Sequence, residues 1–259
     1  MSKKPDLRSI SSVTLEGDGD FDEVHILGGL QSSGSLNANY VSVQGSMNLL
    51  GSLWATNVNV AGGVELGADL ISELDIVIKG GIKTGGKLEG RIIDISGGAR
   101  VKEMIKASQL QVKGGVKVNG NIEVNGPIDV KGGLVSLRSI IAEEIDSVGG
   151  ISANGDVKAR DSIYVRGRVE VGGDITCDEF IFEIGGPSVI EGKLQANKIK
   201  IMKDELAKSE SFLRVKEIVS PNKIEIDYVI AESVVCPKMK TGENCRIGEP
   251  IDKNYEPDY

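Results

Sequence analysis

Apolar residues along this chain come in pairs two positions apart, with a polar or charged residue between them. The segment LQVKGGVKVNGNIEVNG holds three such pairs, Leu110/Val112, Val116/Val118 and Ile122/Val124. Alternation of this kind puts both apolar side chains of a pair on one face of a short strand. Glycine follows each pair, at Gly114 and Gly115, Gly120 and Gly126, and glycine supplies the positive φ that a sharp corner can demand. Three inward faces joined by three corners predict one turn of a triangular coil.

The unit repeats along the chain. With the first corner glycine as a mark, Gly28, Gly45, Gly62, Gly80, Gly97, Gly114, Gly132, Gly149 and Gly167 follow one another at steps of 17 or 18 residues. The next mark fits at Gly186, one residue late, and the register continues at Lys203. Four residues before the mark stand Val24, Val41, Val58, Ile76, Ile93, Leu110, Ile128, Ile145, Ile163 and Phe182. Two before it the column is aliphatic from Ile26 to Ile184, with Ser147 the exception. Eight after it the column runs unbroken from Leu36 to Leu194, and ten after it the residue is mostly small, as at Ala38, Gly90, Ala159 and Cys177. Charges such as Glu65, Lys83, Arg100 and Lys117 fall three after the mark, on the outside.

These columns predict an all-β fold, a single-stranded triangular β-helix (β-solenoid) of roughly ten to eleven turns stacked as parallel strands ~4.8 Å apart. One turn alone buries too little to offset the ordering of its own backbone, so the turns must stack. The predicted organisation is a polar N-terminal tail over 1–12, the solenoid over 13–203, and an irregular last turn with a C-terminal cap and tail over 204–259. Within the last part, KDELAKSESF reads as a short helix or an insertion loop, and NYEPDY as a loose tail.

Composition narrows the function. The chain carries 34 glycines, only 4 % aromatics and a net charge of −8, so a core must be thin and aliphatic, and nothing builds the basic surface that nucleic acid requires. No apolar run spans a membrane. The start MSKKPDLRSIS has no apolar signal region, which points to the cytoplasm. Cys177 falls in the small-residue column and reads as a buried thiol. Cys236 and Cys245 read as free thiols rather than a cross-link or half of a zinc site.

Several motifs dissolve into the repeat. GGIKTGGK (Gly80–Lys87) resembles a phosphate loop, but Leu88 stands where a metal-holding hydroxyl belongs. The acidic run at Asp18–Glu23 offers oxygen ligands of the kind calcium takes, yet reads more simply as a solvated turn. His25, the only histidine, alternates with Val24 and Ile26 and should point outward, as should Trp54. No catalytic, cofactor or metal residue is assigned.

Taken together, the 17–18-residue coil, the valine and isoleucine ladders and the GG or NG corners resemble the bactofilins, polymer-forming cytoskeletal proteins of bacteria. LQVKGGVKVNGNIEVNG and SANGDVKARDSIYVRGRVEVGGDI carry the likeness, which covers about Val24–Met202. IEIDYVIAESVV, followed by CRIG, is similar to the longer Gram-positive variants. The resemblance implies a right-handed β-helix that assembles end to end into filaments without nucleotide. It also implies a scaffold for cell-shape, cell-wall or motility machinery, often near the membrane, with peripheral membrane or cell-envelope proteins as clients; no small-molecule substrate is expected. Open strand edges at the terminal turns invite a second copy. The expected assembly ends are Val13 and Leu15 at one terminus and Ile224, Ile226, Tyr228 and Ile230 at the other. The alternatives are a hexapeptide-repeat-like acyltransferase and a surface adhesin or carbohydrate-binding solenoid.

Overall fold

A period of two that slips once per strand decides the fold. In Leu36–Val43 the buried residues are Leu36, Ala38, Val41 and Val43. The step from Ala38 to Val41 leaves Asn39 and Tyr40 both outward, and the strand bends there. One eight-residue strand thus supplies two faces, and the three-residue strand Met47–Leu49 supplies the third. The computed structural model describes residues 4–208 and 211–248. It is all-β, with no helix among the described residues. Two compact units divide the chain, Met1–Gly126 and Pro127–Tyr259, and each winds as a β-solenoid of parallel strands.

In the first unit, Leu36, Leu53, Leu70, Leu88, Ile105 and Ile122 stack as one column. Val24, Val41, Val58, Ile76, Ile93 and Leu110 form another. All are buried, and side chains of one shape on top of one another fill the interior layer by layer. Within the small column, space is tight at Gly90. A Cβ on Gly90 would lie 2.9 Å from Cδ1 of Ile76, which crosses from the adjoining face. The 18-residue step from Gly62 to Gly80 arises at one corner, where Glu73 and Leu74 separate Leu70–Ser72 from Asp75–Ile78.

In the second unit the matching column runs Ile128, Ile145, Ile163, Phe180, Ile199, Ile224 and Met239. Phe180, not Phe182, therefore stands next to Ile163, and Phe182 pairs with Val165. The extra residues of this turn lie after Phe182, at the corner before Ser188, and Ile184 is buried there. A mark placed at Gly186 shifts the register by one inward position, because both phenylalanines are inward and either satisfies the pattern.

The solenoid reaches further than the sequence columns indicate. Leu7–Ser9, inside the expected polar tail, is a strand paired with Val24–Ile26. At the other end, Leu213–Val219, Lys223–Ile226 and Val229–Val235 form further parallel turns in place of an irregular cap. Met239–Thr241 and Arg246–Ile247 continue them. The two units together hold about 14 turns. The stretch Asp204–Lys208 is turn and loop rather than helix, leaving the coil at the same corner that holds Gly186. NYEPDY lies outside the described residues.

The corner glycines serve a different purpose from the one their type suggests. Among the described residues, positive φ at glycine is confined to Gly17, Gly149, Gly150, Gly167 and Gly248. Gly45, Gly62, Gly80, Gly97 and Gly114 sit instead with backbone directly on backbone. A Cβ on Gly97 would lie 2.7 Å from the carbonyl oxygen of Gly80, and the Gly97 N–H donates to that same oxygen at 3.0 Å. Close approach, not handedness, excludes a side chain at these positions.

Candidate functional site at the terminal strand edges

Wherever a parallel coil stops, backbone N–H and C=O groups point out of the last strand with no neighbour to receive them. At the N-terminal edge of the first unit, Leu7–Ser9 pairs only with Val24–Ile26, and Val13–Leu15 only with Leu30–Ser32, among the described residues. Leu7, Val13 and Leu15 are half-buried rather than closed over. Ile10, at the corner between the two strands, is 88 % exposed. The third face differs. Pro5 accepts a hydrogen bond from the Asp22 N–H at 2.9 Å, and Lys4 Nζ meets Asp20 at 2.7 Å, so the chain start runs over this face.

At the C-terminal end of the described residues, Met239–Thr241 pairs with Ile224–Ile226, and Arg246–Ile247 with Ile230–Ala231. Met239 and Ile247 are 47 % and 42 % exposed.

The structure therefore places Val13 and Leu15 on an edge and moves the other edge. Ile224 and Ile226 are buried, with strand partners on both sides. Ile230 lies between Arg214 and Arg246. Tyr228 is a corner residue with φ of 57°, an unfavourable conformation for a bulky side chain. It is held by its N–H to the Glu243 carbonyl (2.8 Å), its hydroxyl to the Glu243 carboxylate (2.8 Å), Phe212 at 5.6 Å between ring centroids and Lys203 Nζ at 4.6 Å from its ring. Another turn covers the strands that carry Ile224, Ile226 and Ile230, and Tyr228 is the corner between those strands, so none of the four lies on the last described edge.

A second feature binds the turns together at another corner. The Asp18 carboxylate accepts from the Ser35 N–H at 2.7 Å, Ser35 Oγ from the Ser52 N–H at 3.1 Å, and Ser52 Oγ from the Asp69 N–H at 3.2 Å. The Asp69 carboxylate then accepts from the Lys87 N–H at 2.9 Å. In the second unit Ser139, Asp156 and Asp174 repeat the pattern, ending on the Lys193 N–H at 2.8 Å. Each side chain satisfies the backbone of the next turn, as a cap does for a helix end. The signal was present as Ser35, Ser52 and Asp69 at the repeat spacing.

The acidic run spreads out instead of converging. Asp18 joins the ladder just described, Asp20 meets Lys4, and Asp22 accepts from Asn39 Nδ2 at 2.7 Å. No group of three or more His, Cys, Asp or Glu able to hold a metal occurs among the described residues. His25 faces outward, with Nε2 3.1 Å from Glu23 and its ring 5.3 Å from that of Tyr40. In GGIKTGGK the glycines form corners, Ile82 and Thr84 point inward, and Leu88 is buried. Trp54 is outward and 42 % exposed. Burial pushes the Cys177 thiol up to about 12, while Cys236 and Cys245 are free thiols. No helix among the described residues is long and apolar enough to cross a membrane. No family model, curated protein or solved structure matches the chain.

Proposed function

We propose that this chain is a non-enzymatic structural scaffold of the bactofilin kind, assembling end to end into filaments that need no nucleotide. The supporting observation is that, among the described residues, Leu7–Ser9, Val13–Leu15 and Met239–Thr241 each have a strand neighbour on one side. A strand added beside them would cover Leu7, Leu15 and Met239 in one step. Between the edges, inward positions are filled by stacked aliphatic side chains, an interior built for rigidity. Cell-shape, cell-wall or motility proteins at the envelope would be the clients of such a polymer. Negative-stain electron microscopy and sedimentation without nucleotide, across protein concentration and salt, test the reading. Filaments that pellet are expected; a strict monomer at every concentration and salt strength would overturn it.

A further inference from the structure

We infer that one face of the first unit is a docking surface for a short acidic protein segment, a role that goes beyond the scaffold reading and does not depend on it. Residues 79–117 hold nine Lys and Arg against three Asp and Glu, a net of +6 in a chain whose total is −8. The coil gathers this charge. Lys83, Arg100 and Lys117 are the outward residues of Ile82–Thr84, Ala99–Val101 and Val116–Val118, and strand pairing sets them one above another. Lys79 and Lys113 stand at the corner before these strands, and Lys102 at the corner after them. All six are exposed, as are Gly81, Gly98 and Gly115 beside the column, which raise no side chain over it.

Elsewhere on the coil an outward base meets a carboxylate of the adjoining turn, as Arg91 meets Asp75 at 2.7 Å and Lys193 meets Glu217 at 2.9 Å. Of the six bases only Lys83 does so, with Glu65 at 2.5 Å. Lys79, Arg100, Lys102, Lys113 and Lys117 form no ion pair among the described residues. Like charges on neighbouring strands ~4.8 Å apart repel, and carboxylates brought between them relieve that repulsion. The size of the face selects the anion. The column spans two steps between strands, ~10 Å, and an extended segment rises ~3.3 Å per residue, so about five residues with alternate Asp or Glu cover it. The adjoining turn, residues 61–78, holds four acids and no base, and exposed Glu103 follows Lys102 at the rim. A duplex or a bilayer reaching past the column would meet these like charges within the ~8 Å over which charge acts at physiological salt. Residues 79–117 contain no aromatic side chain on which a nucleobase could stack. None of the large apolar side chains among them is exposed to anchor in lipid.

The test titrates the full chain into a fluorescein-labelled peptide of alternating Glu and Ser at low salt and follows its anisotropy. Saturable binding that weakens as salt rises is expected. Arg100→Ser with Lys117→Ser should lower the affinity about tenfold. Lys198→Ser with Lys200→Ser makes the same change of charge on exposed residues of the second unit and should leave the affinity unchanged. Lys102→Ser with Lys113→Ser, at the corners and off the strands, should give a loss similar to the first pair, which keeps the test open if a strand substitution disturbs folding. Far-UV circular dichroism and thermal midpoints report folding for every variant. No binding by the wild type, an equal loss in the second-unit variant, or equal binding of a Lys and Ser peptide would each overturn the docking face. So would duplex DNA or phosphatidylglycerol vesicles that bind as tightly as the acidic peptide and lose as much in the Arg100 and Lys117 variant. Sedimentation of the same proteins reads assembly separately: its failure removes the scaffold reading and leaves the docking face standing.

Discussion

At Gly97 one hydrogen atom decides whether two turns can lie together. A methyl group there meets the carbonyl oxygen of Gly80 at 2.7 Å, its carbon at 2.8 Å and the nitrogen of Gly81 at 2.8 Å. All three are backbone atoms that cannot rotate away. Gly97→Ala should therefore destabilise by ~1–3 kcal/mol, the scale of overpacking. Gly133, with nothing within 4 Å of a would-be Cβ and no positive φ, should accept alanine and gain ~0.4–1 kcal/mol from a less flexible unfolded chain. Thermal denaturation of the two variants separates close approach from a general need for glycine in these links. If both lose stability alike, the stacking explanation fails. The sequence marks both positions only as glycine. Whether the residue serves a left-handed φ or a tight approach depends on what lies in the next turn, which composition does not record. Phe180 and Phe182 pose the same difficulty: both are inward and apolar, so pattern alone did not say which belonged beside Ile163.

Among elements, the Ser/Asp ladder is the part least visible beforehand, since serine and aspartate at a corner read as ordinary turn residues. Asp156 shows what it contributes. Its carboxylate accepts the Asp174 N–H at 3.0 Å and meets Lys158 Nζ at 2.8 Å. The Lys158 ammonium, then the Asp174 N–H, hold the carboxyl below the usual carboxylate range. A depressed acid stabilises the fold fully above its unfolded value, ~3.9, and ceases to do so as pH falls through the lower folded value. Asp156→Ala should cost about 1 kcal/mol at pH 7, and the gap from wild type should narrow in acid. Asp156→Ser should recover part of the loss, since Ser139 fills the same role one turn earlier with its hydroxyl. A gap that stays constant from pH 7 into the acid range would show that the carboxylate charge has no part in it. The aliphatic faces, by contrast, were legible throughout their middle, because every turn repeats the same inward positions. At the C-terminal end that regularity weakens. Ile199 and Ile224 are neighbours in one column 25 residues apart, and Ile224 and Met239 only 15, so a pattern of 17- or 18-residue steps ends before them. In sequence the last turns therefore look like a cap and Ile224 and Ile226 like an end, whereas both are buried with strand partners on either side.

For the molecule as a whole, strand partners lie about one turn apart in sequence, so most pairing is short-range along the chain. Solenoids built this way fold by nearest-neighbour addition, and their outermost layers are held from one side only. In dilute protein the amides of Leu7–Ser9 and Met239–Thr241 should exchange with solvent faster than those of interior strands such as Leu88–Ile95 or Ile175–Ile184. In assembled protein both terminal segments should become protected together. Hydrogen-exchange mass spectrometry on sedimented and unsedimented fractions reads both. Protection confined to side faces, with the termini unchanged, would place the contact between copies elsewhere.

One corner of the second unit takes links of different length from turn to turn, three residues between Ile184 and Ser188 and nine between Lys203 and Leu213. The layers on either side keep their pairing, Ser188 meeting Leu213 in step. Because the entropy of closing a loop rises slowly with its length, such a site is a natural graft point. A peptide ligand or an affinity epitope spliced there would be displayed once per protomer, and a polymer of this chain would become an evenly decorated lattice for cargo.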